Sequence, residues 1–128
     1  MRVNRAIALL GRTLLGAGWA YNGIWSKLLA RDPRHQRIVT GLPMVGPRRA
    51  RVVCAAIGLA ETLLAARMLI ARPTVGTAAF QSIAVAAMNL GGLRWAPAEI
   101  PSPRRLFATS TAFVALAWCV ALHKSGDR

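Results

Sequence analysis

Four apolar segments alternate with short polar stretches along the 128 residues of the chain. They cover about residues 5–29, 52–70, 74–93 and 106–122. Each is close to the ~20 residues that an α-helix needs to cross the ~30 Å hydrocarbon core of a bilayer. The third and fourth segments contain no Lys, Arg, Asp or Glu. The pattern therefore predicts an all-α protein whose four helices cross a membrane.

The connections between the segments are short and rich in proline. Residues 31–51 are polar and hold three prolines, which predicts a loop. Arg72-Pro73 predicts a tight turn between the second and third segments, and three further prolines precede the fourth. Because short links join antiparallel neighbours, we expect one domain over residues 1–128, a transmembrane four-helix bundle with up-down-up-down topology.

Charge and composition restrict the function classes. The chain has 17 basic and 4 acidic residues, a net charge of +13, yet only 16% of its residues are charged and 55% are hydrophobic. A water-soluble domain carries about a quarter charged residues, and a disordered basic tail is poor in apolar residues. Long uncharged runs separate the basic clusters, which argues against nucleic acid as a partner. The lipid bilayer, with its anionic headgroups, is the expected partner of these arginines.

The charged residues inside the apolar segments are the first candidates for a functional site. A helical rise of ~1.5 Å per residue puts Glu61 ~14 Å deep, near the bilayer centre. A lone charge there costs ~2.5–3.5 kcal/mol on insertion scales, so we expect Glu61 to be paired. Arg12 enters from the opposite side, and Gln81 reaches a similar level. We therefore predict that Glu61 meets Arg12 with Gln81 nearby, either as a site that handles protons or anchors a ligand, or as a structural pair.

Other candidate chemistry is weaker. Cys54 and Cys119 form no C-x-x-C motif and would differ by ~17 Å in depth, so both are expected as free buried thiols. His35 and His123 are not placed for haem ligation across a membrane, and the sequence shows no metal-ligand cluster. The aromatic side chains at the segment ends predict a belt at the membrane interface, formed by Trp19, Tyr21, Trp25, Trp95 and Trp118.

Two sequence blocks resemble a known family. The first is Trp19-Ala-Tyr21-Asn-Gly23-Ile-Trp25-Ser-Lys27, and the second is Gly58-Leu-Ala-Glu61. Together with the four-segment plan, they are similar to the DoxX-like family of small multi-pass proteins of the bacterial inner membrane, named after a subunit of a thiosulfate:quinone oxidoreductase. The resemblance marks Tyr21, Gly23, Lys27 and Glu61 as family-like positions. It implies that Lys27 meets an anionic headgroup or a quinone carbonyl, unless it is an ordinary interface lysine that extends toward water.

The sequence leaves two functional classes open. The first is a non-catalytic membrane subunit or scaffold of a redox-related complex, which works with a partner redox protein and binds a quinone or a lipid between its helices. The second is a membrane enzyme or proton-coupled transporter that uses Glu61. We expect no intrinsic cofactor and no metal ion, and the oligomeric state is open. The candidate polar residues are Glu61, Arg12, Gln81, Tyr21 and Lys27.

Overall fold

The computed structural model describes residues 2–123, with side chains from Arg5 onward, and it is all-α without strands over this range. Helix α1 continues directly into a π-helix, and a short 3-10 helix precedes the last α-helix. The elements are α1 (Arg2–Ala20), the π-helix (Tyr21–Leu28), α2 (Pro33–Thr40), α3 (Gly46–Ile70), α4 (Val75–Trp95), the 3-10 helix (Pro97–Glu99) and α5 (Pro103–Leu122).

The predicted loop over residues 31–51 is wrong, because this stretch holds α2 and the first six residues of α3. Asp32 caps α2, and its side chain accepts a hydrogen bond of 3.0 Å from the backbone N–H of Arg34. Pro33 follows in the first turn of α2, and Pro47 lies in the first turn of α3. Proline is favoured there because its missing N–H would lack a helical partner in any case. These prolines lie in the first turns of helices, whereas the sequence analysis took them as signs of a loop.

Helix α1 occupies the middle of the fold. It packs against α3 and α5, and α4 packs against α5. Among the described residues, the backbones of α3 and α4 make no close contact with each other. The main core forms where α1, α3, α4 and α5 meet, around the fully buried residues Leu15, Met68 and Ala78. Away from that core, the separation of α3 and α4 leaves space inside the molecule.

Two glycines allow the closest approach between helices. A Cβ atom on Gly23 would lie 2.6 Å from the carbonyl oxygen of Gly58, and a Cβ on Gly58 would lie 2.8 Å from the carbonyl oxygen of Gly23. The π-helix and α3 therefore touch through their backbones. This contact brings Lys27, four residues after Gly23, beside Glu61, three residues after Gly58.

The outer surface of the helices is apolar. Two helices of the described chain are long and apolar enough to cross a membrane, Gly46–Ile70 and Pro103–Leu122. Large apolar side chains are also exposed on every long helix, for example Leu10, Leu63, Phe80 and Phe107. Contiguous apolar surface of this kind marks contact with a membrane or another protein. Membrane crossing by all four long helices stays a prediction.

Substitution at the glycine contact should destabilise the fold. Gly58→Ala places a methyl group against the backbone of Gly23, and forced overpacking costs about 1–3 kcal/mol. Gly76→Ala is the matched control, since its Cβ would meet only Thr74 Oγ1 at 3.6 Å. We expect a lower Tm for Gly58→Ala and no loss for Gly76→Ala, measured by circular dichroism in detergent. Equal Tm values for the two variants would contradict the close contact between the backbones of Gly23 and Gly58.

Candidate functional site

Lys27 and Glu61 form a buried ion pair. Lys27 Nζ lies 2.8 Å from Glu61 Oε2 and donates a hydrogen bond of 3.0 Å to Oε1. Each side chain is only 6% exposed. Lys27 Nζ also donates to the carbonyl oxygen of Asn22, five residues earlier, at 3.4 Å. The lysine thus reaches back along its own helix into the protein, the opposite of a lysine that extends toward water.

The local backbone sets this direction. In the π-helix the N–H of Leu29 donates to the carbonyl oxygen of Ile24, five residues earlier, at 2.8 Å. Arg51 on α3 then covers the end of the π-helix, donating to the carbonyl oxygens of Lys27 at 2.7 Å and Leu28 at 2.9 Å. Helix ends leave such carbonyls without helical partners. Arg51 therefore stabilises the turn from which Lys27 projects.

The predicted contact between Arg12 and Glu61 is wrong. Arg12 donates instead to three carbonyl oxygens at the end of α3, those of Met68, Leu69 and Ala71, at 3.1, 2.9 and 3.0 Å. Met68 is seven residues beyond Glu61, about 10 Å along the helix. The carbonyls of the α3 end lie within reach of Arg12, and Lys27 already neutralises the carboxylate.

Gln81 is buried, but it also lies away from the ion pair. Its Oε1 accepts a hydrogen bond of 2.9 Å from Trp19 Nε1, and its Nε2 donates to Met68 Sδ and to the carbonyl oxygen of Thr77. Trp19 is only 2% exposed and packs edge-on against Phe113, with ring centroids 5.5 Å apart. The predicted interfacial belt is therefore wrong for Trp19, which belongs to the core.

A cavity of about 880 Å³ lies between α3 and α4, with walls from the π-helix, α2 and α5. Its volume is within the range of about 300–1,000 Å³ that small-molecule sites occupy. Lys27, Glu61 and the half-exposed Tyr21 all line it, whereas Arg12 and Gln81 do not. The apolar part of the lining includes Ile38, Ile57, Val85, Met88, Leu106 and Phe113. The cavity thus combines apolar walls with a few polar groups.

Polar groups that the sequence analysis did not assign to a functional site also line the cavity. Asn89 Nδ2 donates a hydrogen bond of 2.7 Å to Ser110 Oγ, which joins α4 to α5. Arg105 lies one turn before Ser110 on α5. His35 lies on the first turn of α2, with Nε2 3.4 Å from Asp32 Oδ2. The Asp-Pro pair before His35 was the available signal, since it is typical of a helix start.

The pKa of His35 is lower than that of a free histidine side chain. Burial, together with the positive charges of Lys27 and Arg34, lowers the pKa of His35 from 6.5 to about 4, although the carboxylate of Asp32 acts in the opposite direction. The ring is therefore neutral at pH 7. This leaves a neutral imidazole on the cavity wall, able to accept or donate one hydrogen bond.

The cysteines and possible metal ligands add no chemistry to this site. Cys54 is buried, Cys119 is exposed, and both are free thiols; the expectation that both thiols are buried is therefore wrong for Cys119. Within residues 2–123, no three His, Cys, Asp or Glu side chains come together in a way that could hold a metal ion.

The charge state of His35 can be measured directly. His123→Asn leaves His35 as the only histidine, since the chain has two. Because the surroundings disfavour the charged ring, NMR titration of the labelled imidazole should give a pKa of about 4. A midpoint near 6.5 would show that the ring is open to water and distant from Lys27.

Comparison with known proteins gives a match to a family model. Neither the curated proteins nor the solved structures give a match to the chain. The DoxX-like family matches residues 16–118, which include the π-helix, the Lys27–Glu61 pair and all of the residues that line the cavity. Family membership and the two apolar helices indicate a membrane protein. The chain belongs to the DoxX-like family.

Proposed function

We propose that this chain is a multi-pass protein of the bacterial inner membrane, and a non-catalytic subunit that binds an apolar small molecule. In this proposal α1 with the π-helix, α3, α4 and α5 form an up-down-up-down transmembrane four-helix bundle. The ligand occupies the cavity between α3 and α4. The observation that carries the proposal is the cavity itself, which has the volume and the mixed lining of a ligand site.

The exterior supports the membrane part of the proposal. Two helices have the length and composition of membrane spans, and large apolar side chains cover the outside of the other two. Trp25 and Trp95 are about half exposed, and an arginine lies over each ring: Arg31 at 5.8 Å and Arg94 at 6.0 Å. Aromatic and cationic side chains are typical of the membrane interface.

The polar groups in the cavity suit a ligand that carries carbonyl oxygens. The Asn89 amide has two N–H donors, and one of them binds Ser110. The second N–H and the Ser110 hydroxyl would hold a carbonyl oxygen of a quinone or a lipid ester. A bound quinone would supply the transfer of electrons and protons to a partner redox protein. The apolar walls formed by Leu106 and Phe113 would hold its ring and chain.

Proton coupling through Glu61 is the second candidate function. The observation that favours it is that Glu61 lines the same cavity as His35 and Asp32, which lie near the start of α2. Two carboxylates and an imidazole on one cavity wall are groups that transfer protons in other proteins. In this alternative Lys27 would set the charge state of Glu61, and the protein would be a transporter or a membrane enzyme.

Ligand binding can be tested with a variant that removes the cavity donors. Asn89→Leu should weaken the binding of decyl-ubiquinone or phospholipid about tenfold, the effect of losing one hydrogen bond of ~1–1.5 kcal/mol. Ser82→Ala is the control, because it breaks the other side-chain bond between α4 and α5, to Trp118 at 2.9 Å, away from the cavity. Equilibrium dialysis in mild detergent gives the affinities. Absence of binding to the wild-type protein would refute the proposal.

Proton flux separates the two candidate functions. A binding subunit in sealed vesicles should give the same flux as empty vesicles, and Glu61→Gln should leave that flux unchanged. Flux above the background that Glu61→Gln abolishes would establish the transporter alternative. A pH-sensitive dye enclosed in the vesicles provides the measurement.

A further inference from the structure

Nearly all negative charge of the described chain is already paired around the cavity. The carboxylate of Glu61 is paired with Lys27 at 2.8 Å, and that of Glu99 with Arg37 at 2.9 Å. Asp32 lies 3.7 Å from Arg34 and 3.4 Å from His35. These are the three acidic residues within 2–123, and the fourth, Asp127, lies outside the described residues.

Arg105 also lines the cavity, and within residues 2–123 no carboxylate lies within 4.0 Å of it. Two arginines line the cavity: Arg34 lies 3.7 Å from Asp32, whereas Arg105 is free to bind an anion from outside the described chain.

The cavity-facing residues of α5 form one stripe that carries charged, hydroxyl and apolar side chains. Their positions are separated by three or four residues, the spacing of one helix face. Ser102 and Arg105 lie at the start of the helix with the apolar Leu106 beside them, Thr109 and Ser110 follow one turn later, and Phe113 lies farthest along the helix. Eight residues separate Arg105 from Phe113, about 12 Å along the helix. A charged end, a hydroxyl zone and an aromatic end match the three parts of an amphiphile.

We propose that the cavity holds an amphiphile with an anionic carboxylate or phosphate head, and that Arg105 binds this head. The hydroxyl and amide groups of Ser110 and Asn89 then face the linking region of the ligand, and its apolar part lies toward Phe113 and Val85. The inference rests on the proposed function, because it names the ligand class of the same cavity. It favours a lipid or a fatty acid over a neutral quinone.

The neighbouring arginine provides a matched control. Arg104 and Arg105 are adjacent and both exposed, but only Arg105 lines the cavity. Arg104→Gln and Arg105→Gln therefore remove the same charge from the same end of α5. Non-specific attraction of anionic lipid to a basic surface falls equally in the two variants. A cavity site responds only to Arg105→Gln.

The test is lipid binding by native mass spectrometry on the full chain in mild detergent. The probes are phosphatidylglycerol, phosphatidylcholine, oleate, decyl-ubiquinone and inorganic phosphate. The wild-type protein should prefer phosphatidylglycerol to phosphatidylcholine, and Arg105→Gln should lose about tenfold in affinity for it, as for one charge-assisted hydrogen bond. Arg104→Gln should retain the wild-type affinity. Oleate binding with the same dependence on Arg105 would also support the proposal, with a carboxylate as the head.

Three results would overturn the inference. Equal losses in both variants would assign the effect to surface charge, and competition by inorganic phosphate as strong as by the lipid would remove any role for the apolar walls. Binding of phosphatidylcholine or decyl-ubiquinone that ignores Arg105 would leave the proposed cavity function intact and refute only the anionic head. Absence of binding by every lipid and by the quinone would instead refute the proposed function itself. Matching circular dichroism spectra confirm that both variants are folded.

Discussion

The backbone contact between Gly23 and Gly58 determines where the buried charges of this protein meet. Because neither residue has a side chain, the π-helix and α3 approach until the carbonyl oxygen of each would block a Cβ atom on the other. Lys27 and Glu61 follow within one helical turn on their own helices and are brought within 2.8 Å. A buried ion pair is stable only when its geometry offsets the loss of hydration. The glycine contact provides that geometry, and the pair forms part of the cavity wall.

Several basic residues serve the fold rather than a partner. Arg12 binds the last carbonyl groups of α3, and Arg51 binds those of the π-helix. Arg37 joins α2 to the 3-10 helix through Glu99. The net charge of +13 therefore overstates how much positive charge is free to bind other molecules. Arg105 differs from these three because it lines the cavity while every described carboxylate is paired elsewhere.

The sequence predicts the long helices well, because each hydrophobic segment corresponds to one of them within a few residues. It fails over residues 31–51, where prolines in first turns begin helices rather than interrupt them. It also gives Glu61 the wrong partner. The prediction converted residue number into membrane depth, which assumes straight α-helices and side chains that extend outward. Lys27 instead lies on the π-helix, and its side chain folds back toward Asn22. The sequence does not single out Arg105 as a ligand-binding residue. Its availability depends on which carboxylates are paired with other side chains, and only the folded structure gives that information.

A double-mutant cycle on Lys27 and Glu61 tests the central claim most directly. Lys27→Met and Glu61→Leu are made singly and together, and the free energy of unfolding is measured in detergent. Each single change leaves one buried charge without its partner, so each should cost about 3–5 kcal/mol. The double variant should lose much less than the sum of the two losses, because neither charge remains. Losses that add would show that the two side chains do not interact, and would contradict this account of the site.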